Sequence, residues 1–191
     1  VLGVSVFNQT NASFEFHPGP IFANVVLADE VNRATPKTQS ARLEAMEEHQ
    51  VTQDRVTRVL PAPFFVLATQ NPSHQVGTFA LPESQLDRFV MRLQIGYPDA
   101  QSERVLLQGQ DRRSLLRETQ RVTSLNQITE LQRLVRDVHV SDALLDYLQA
   151  LIAFTRHSNH FICGLSPRAG LSLLGAARAW AFIAHRDHIV P

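Results

Sequence analysis

An α/β core followed by an all-helical domain is the fold class that the 191-residue chain predicts, on three observations. Two short apolar runs, Val25-Val26-Leu27-Ala28 and Phe64-Phe65-Val66-Leu67-Ala68-Thr69, end in Asp29-Glu30 and Gln70-Asn71-Pro72. Runs of this kind fit strands buried on both faces of a parallel sheet, with their polar groups at the carboxyl ends where open α/β sheets carry ligand chemistry. Two alternating stretches, at 1–16 and 50–59, read as β-hairpins. Beyond Pro98 the apolar spacing changes to the helical period of about 3.6.

The elements follow in order. Val4, Val6, Phe14 and Phe16 flank the polar centre Asn8-Gln9-Thr10-Asn11, which gives the first hairpin. After His17-Pro18-Gly19-Pro20 comes the first buried strand, from Ile21 to Ala28. Thr35 is placed to cap a helix with Pro36 at its first position, and Lys37 to Glu48 continue it with good helix formers. Val51, Val56 and Val59, mixed with Thr52, Asp54 and Arg55, form the second hairpin, which Pro61 and Pro63 end before the second buried strand at 64–69. A short helix at Leu81 to Phe89 leads into a strand expected over Phe89 to Ile95, and Gly96-Tyr97-Pro98-Asp99 marks a domain boundary. Ser102 to Gln110, Ser124 to Val138, Ser141 to Thr155 and Pro167 to His185 read as helices, with a capping-box pattern at Ser124 and Gln127. The expected domains are 1–97, the α/β core, and 98–191, the helical domain.

Composition narrows the classes. The acidic and basic residues balance at 18 each, so the excess positive charge of a protein that binds nucleic acid through phosphates is missing. The basic residues are almost all arginines, whose planar guanidinium suits bidentate contact with carboxylates and phosphates. Cys163 is the single cysteine, which rules out an internal disulfide and fits a reducing cytoplasmic compartment; beside Ile162 it reads as a small core residue. No apolar stretch reaches the ~20 residues that span a bilayer, and no signal peptide opens the chain, so membrane insertion is not expected. The pairs His157-x-x-His160 and His185-x-x-His188 lack the cysteine or carboxylate partners that would complete a metal site; the first pair sits where a helix ends, and imidazoles there satisfy final carbonyls.

The chemistry concentrates at the strand ends. An aspartate followed by glutamate at such an end suits Mg²⁺-dependent nucleotide hydrolysis, the aspartate holding the ion through its water shell and the glutamate polarising water. Strands also end in acidic residues at plain solvated turns. Asn71 at a neighbouring strand end could orient water beside a terminal phosphate, and an asparagine fixing its own turn ahead of Pro72 accounts for it equally well. The other half of a phosphate site is missing: Lys37 is the only lysine, and Ala34-Thr35-Pro36 stands where a G-x-x-x-x-G-K-[ST] loop needs glycines.

Val26-Leu27-Ala28-Asp29-Glu30-Val31-Asn32-Arg33-Ala34, Ala68-Thr69-Gln70-Asn71-Pro72, Leu81 to Phe89 and Gly164-Leu165-Ser166-Pro167-Arg168-Ala169 resemble, in order and over essentially the whole chain, the MoxR branch of the AAA+ ATPases. The resemblance implies a P-loop NTPase core followed by a helical lid, with ATP and Mg²⁺ as cofactors. It implies that Asp29 and Glu30 are the Walker B pair, Asp29 assisting Mg²⁺ and Glu30 activating water, and that Asn71 is sensor 1. Arg88 matches the arginine finger, which reaches the ATP of a neighbouring subunit. Arg168 matches sensor 2, which contacts the γ-phosphate in its own subunit. Residues 1–20 resemble the helix-2 insert and 50–60 the pre-sensor 1 hairpin, and Arg33 is near enough to Walker B to be an intersubunit contact.

What departs from the family is the Walker A strand, loop and helix, absent from these residues, so the chain reads as a fragment that alone neither binds ATP tightly nor hydrolyses it. The implied parent is an ATP hydrolase working as a homo-oligomeric ring, a hexamer, that remodels or matures a client protein, including metal-cofactor insertion, with a partner carrying a von Willebrand A domain. Two other readings stand beside it. One is a magnesium-chelatase-like or DNA-dependent motor, with DNA disfavoured by the neutral charge; the other is a non-catalytic interaction module that keeps the fold without a P-loop.

Overall fold

The computed structural model describes residues 2–35, 38–39, 45–71, 78–109 and 116–191. Pro36, Lys37 and Pro72, and with them part of the helix expected after Thr35, lie outside the described residues. The chain divides into two compact units, Val1–Val90 with Asp146–Leu173, and Met91–Leu145 with Leu174–Pro191.

In the first unit both expected hairpins form. Strand β1 (Gly3–Asn8) pairs antiparallel with β2 (Ser13–Pro18), setting Phe7 opposite Phe14 with ring centroids 5.2 Å apart. At the turn, Asn8 and then Asn11 donate to the Glu15 carboxylate, which holds its pKa below the usual range. Strand β4 (Gln50–Gln53) pairs antiparallel with β5 (Val56–Val59) across a two-residue turn. Asp54 and Arg55 both take positive φ there (53° and 64°), the geometry that matches the twist of a tight hairpin. The hairpins are tied together: Ser5 Oγ donates to Asp54 Oδ2 (2.5 Å), and the Arg58 guanidinium lies 3.7 Å from the Phe16 ring centroid.

Strands β3 (Val25–Ala28) and β6 (Phe65–Ala68) pair in parallel, Val25 opposite Phe65 and Ala28 opposite Ala68. This register brings Asp29 and Thr69 side by side just past the sheet. Ile21, Ala45, Val51 and Leu60 form one buried cluster, and Val31 with Leu81 forms another, packed by Met46, Ala68 and Phe89. Burial on both faces is not observed. Val25, Leu27, Phe65 and Leu67 share one face and are 49–63% exposed. Strand composition encodes a preference for cover, while the cover itself must come from other elements. The strand expected over Phe89 to Ile95 is also absent; Leu93 and Ile95 are 79% and 96% exposed. An apolar run becomes a strand only where a neighbour offers an edge to hydrogen-bond, and no described strand pairs with this one.

Helix α1 (Glu83–Leu86) is the short helix expected before Arg88. The next helices are α2 (Ala100–Leu107), capped by Asp99, and α3 (Leu125–Arg136), where Ser124 and Gln127 form the expected capping box. They are followed by α4 (Asp142–His157) and α5 (Pro167–Ile183). In the second unit a parallel bridge joins His139 to His188, with Val138 and Ala181 buried. His157 Nδ1 bonds the Ala153 carbonyl (2.8 Å), as expected for an imidazole at a helix end. Cys163 is exposed, contrary to its reading as a core residue. It lies in the connection between α4 and α5, where short-range apolar context does not fix burial.

That connection is held tightly. Leu165 donates its N–H to Thr155 Oγ1 (3.0 Å), and its carbonyl accepts from Arg156 Nε (2.9 Å). A Cβ on Gly164 would lie 2.7 Å from Arg156 Cα, on backbone that cannot swing aside. Gly164→Ala is therefore expected to destabilise the fold by about 1–3 kcal/mol, the usual cost of overpacking, read as a lowered midpoint in urea unfolding.

Candidate nucleotide-hydrolysis site

Two clusters contain all five of the site residues expected from sequence. The first stands at the carboxyl ends of β3 and β6. The Thr69 hydroxyl donates to Asp29 Oδ1 (2.5 Å) and accepts from the Glu30 N–H (2.8 Å), while the Thr69 carbonyl accepts from the Val31 N–H (2.9 Å). Glu30 takes φ 45° and ψ 51°, left-handed backbone that costs a side-chain-bearing residue of order 1 kcal/mol or more and that persists where the surroundings over-determine it. Thr69 supplies that constraint on both sides of the Glu30 peptide.

The Glu30 carboxylate is engaged at both oxygens. Oε1 accepts from the Asn71 side-chain amide, and Oε2 pairs with Arg33 Nε at 2.7 Å. Asn71 is fixed in turn by Asn32, which is 4% exposed and donates through Nδ2 to the Asn71 carbonyl (3.1 Å). Gln39, 1% exposed, donates to the carbonyls of Val31 (3.2 Å) and Ala34 (3.0 Å) and closes the 3-10 turn Val31–Arg33. Asp29 and Thr69 are a pair of hard oxygen donors at an exposed strand end, and that donor set fits Mg²⁺ held through its water shell. The Glu30 carboxylate, with an amide and a guanidinium at its two oxygens, can position and polarise a water.

The second cluster gathers the two arginines. Arg88 pairs with Glu47 Oε2 (3.2 Å), and Arg168 pairs with Glu47 Oε1 and approaches Asp87 Oδ2 (3.8 Å). Ser166 caps the start of α5 by accepting from the Ala169 N–H (3.0 Å), and its hydroxyl donates to Asp87 Oδ1 (2.6 Å). The reading of the sequence missed Thr69, Asn32, Gln39, Glu47 and Asp87 as working residues. Asn32, Thr69 and Asp87 stand inside the quoted motifs; Gln39 and Glu47, in an ordinary stretch of helix formers, carry no local signal.

Residues 1–91 match the model of a family described as "ATPase family associated with various cellular activities (AAA)", and residues 153–191 match an AAA lid domain. The chain is 44% identical over 191 residues to YeaC of Bacillus subtilis, an uncharacterized protein, covering all of this chain and 60% of that protein. It is 34% identical over 200 residues to Chaperone MoxR1 of Mycobacterium tuberculosis, covering 100% of this chain and 52% of the relative. Protein MoxR of Paracoccus denitrificans is 28% identical over 198 residues, which is 91% of this chain and 58% of the relative. A crystal structure from Cytophaga hutchinsonii superposes with a TM-score of 0.86 at 39% identity, over 100% of this chain and 60% of that one. The chain thus spans between 52% and 60% of the length of these three relatives. Motifs that stand in the family's order, an AAA core and lid, and relatives that carry the name agree: the chain belongs to the MoxR family of AAA+ ATPases.

Proposed function

We propose that these residues form the hydrolytic and sensing part of an ATP-driven remodelling machine. The observation that supports this most directly is the Glu30 carboxylate held between Asn71 and Arg33 beside Asp29, at the ends of two paired parallel strands. In this reading Asp29 holds Mg²⁺ through water, Glu30 takes the proton of the attacking water, and Asn71 orients that water. The ion, when bound, offsets charge on the phosphates. Arg88 reaches ATP from a neighbouring subunit, and Arg168 answers to the γ-phosphate. Residues 1–97 serve as the core and 98–191 as the lid of a cytoplasmic ring, taken as a hexamer. Its work is to mature client proteins, metal-cofactor insertion among them, with a von Willebrand A domain partner.

The test is Mg²⁺-dependent ATP hydrolysis by the full-length protein, measured across protein concentration. Turnover per subunit should rise as rings assemble, and absence of hydrolysis by assembled rings would sink the reading. The 191 residues contain no phosphate-binding loop, so alone they are expected not to bind ATP below micromolar concentration. Calorimetric titration of the isolated chain checks this, and submicromolar binding would contradict it.

A further inference from the structure

Glu47 is the carboxylate at which Arg88 and Arg168 meet, and we propose that it is a positioning residue that orients each guanidinium for phosphate, Arg88 toward a neighbour's ATP and Arg168 toward that of its own subunit. The inference rests on the reading that these arginines serve hydrolysis.

Two guanidinium groups brought to one place repel, and neither can shed its charge. Glu47 offsets that repulsion by giving one oxygen to each: Oε2 to Arg88 and Oε1 to Arg168. With Asp87 beside Arg168 the cluster holds two carboxylates and two guanidiniums and is neutral. The side chains of Glu47 and Arg88 are only 35% and 28% exposed, so the pairing is partly screened from water and worth more than a surface ion pair. Arg88 Nε is buried with no hydrogen-bond partner among the described residues, so packing rather than a full set of hydrogen bonds fixes part of this guanidinium.

The cluster joins three separate pieces of chain. Glu47 belongs to the helical residues 45–48, Asp87 and Arg88 follow α1, and Arg168 lies in the first turn of α5. Ser166 couples the start of α5 to Asp87 through its hydroxyl. A displacement of Arg168 is thereby felt at Arg88 through one shared carboxylate. A guanidinium already aimed and partly desolvated loses less freedom on meeting a phosphate oxygen, so the benefit of Glu47 falls on turnover more than on binding.

The test is steady-state ATP hydrolysis by the full-length protein. Glu47→Gln should lower kcat about 10- to 100-fold while KM for ATP moves less than about threefold. Added to Arg168→Ala or to Arg88→Ala, it should cost less than it costs the wild type, because part of what Glu47 does passes through the arginine already removed. A kcat within threefold of wild type, or losses that multiply in full, would overturn the proposal. Gln has the shape of Glu at a partly exposed site, and an unchanged melting midpoint verifies the fold. Should it not be kept, the same cycle is run with Asp87→Asn, which loosens Arg168 from the other side and should lower kcat in the same direction. Arg88→Ala and Arg168→Ala distinguish the two failures. If both keep wild-type turnover, the functional reading falls; if they lose it and Glu47→Gln does not, only the role of Glu47 falls.

Discussion

Glu30→Gln is expected to abolish turnover while ATP affinity stays within a few-fold of wild type. The amide keeps the shape of the carboxylate and one oxygen that can accept from Asn71, so the loop geometry has no reason to change. The left-handed backbone at Glu30 is held by Thr69 through main-chain groups the substitution leaves untouched. What disappears, on the proposed reading, is the base. A neutral amide cannot take a proton from water, and a positioned general base contributes typically ~10²–10⁴ in rate. The amide also turns an N–H₂ toward Arg33, replacing an ion pair with two facing donors, which adds to the loss. Single-turnover hydrolysis measured beside binding of a fluorescent ATP analogue separates the two effects. A variant that hydrolyses within tenfold of wild type would remove Glu30 from the chemistry, and one that loses nucleotide binding in parallel would assign it a structural part.

How much of this could be read beforehand depended on how local the determinants are. Both hairpins, the capping box at Ser124 and Gln127, and the parallel pair β3 and β6 rest on patterns a few residues long, and each formed as expected. The run Phe89 to Ile95 had the same apolar character and formed nothing, because a strand is completed by a partner that its own residues do not specify. The open face of Val25, Leu27, Phe65 and Leu67 makes the same point for burial. At the candidate site the acidic pair stood out because carboxylates at a strand end are visible in one dimension, and Arg88 and Arg168 stood out through the family motifs that hold them. Thr69 and Glu47 did not. Thr69 works by reaching across to a strand 40 residues earlier, and Glu47 is one glutamate among several in a helix, given meaning only by two arginines 41 and 121 residues away.

Arg88→Ala is expected to lower kcat by about 10³- to 10⁵-fold, the range an arginine supplied to another subunit's phosphoryl transfer commands. On the proposed reading the charge is irreplaceable in kind, since negative charge developing on the γ-phosphate is then met by a group that cannot deprotonate. In the structure Arg88 is held by Glu47 in its own subunit, so the guanidinium is oriented before it meets a phosphate. A loss of turnover alone would not reveal in which subunit the arginine acts. Mixing does. An Arg88→Ala subunit keeps Glu30, and a Glu30→Gln subunit keeps Arg88, so each supplies what the other lacks only if the arginine works across an interface. In a head-to-tail ring assembled at random from equal amounts, about a quarter of interfaces combine an intact Glu30 with a neighbour's Arg88. Two inactive preparations should therefore recover on the order of a quarter of wild-type activity after mixing and reassembly. If the mixture stays as inactive as its parts while the rings are shown to exchange subunits, Arg88 acts within its own subunit, and any dependence of hydrolysis on assembly must come from somewhere other than this arginine.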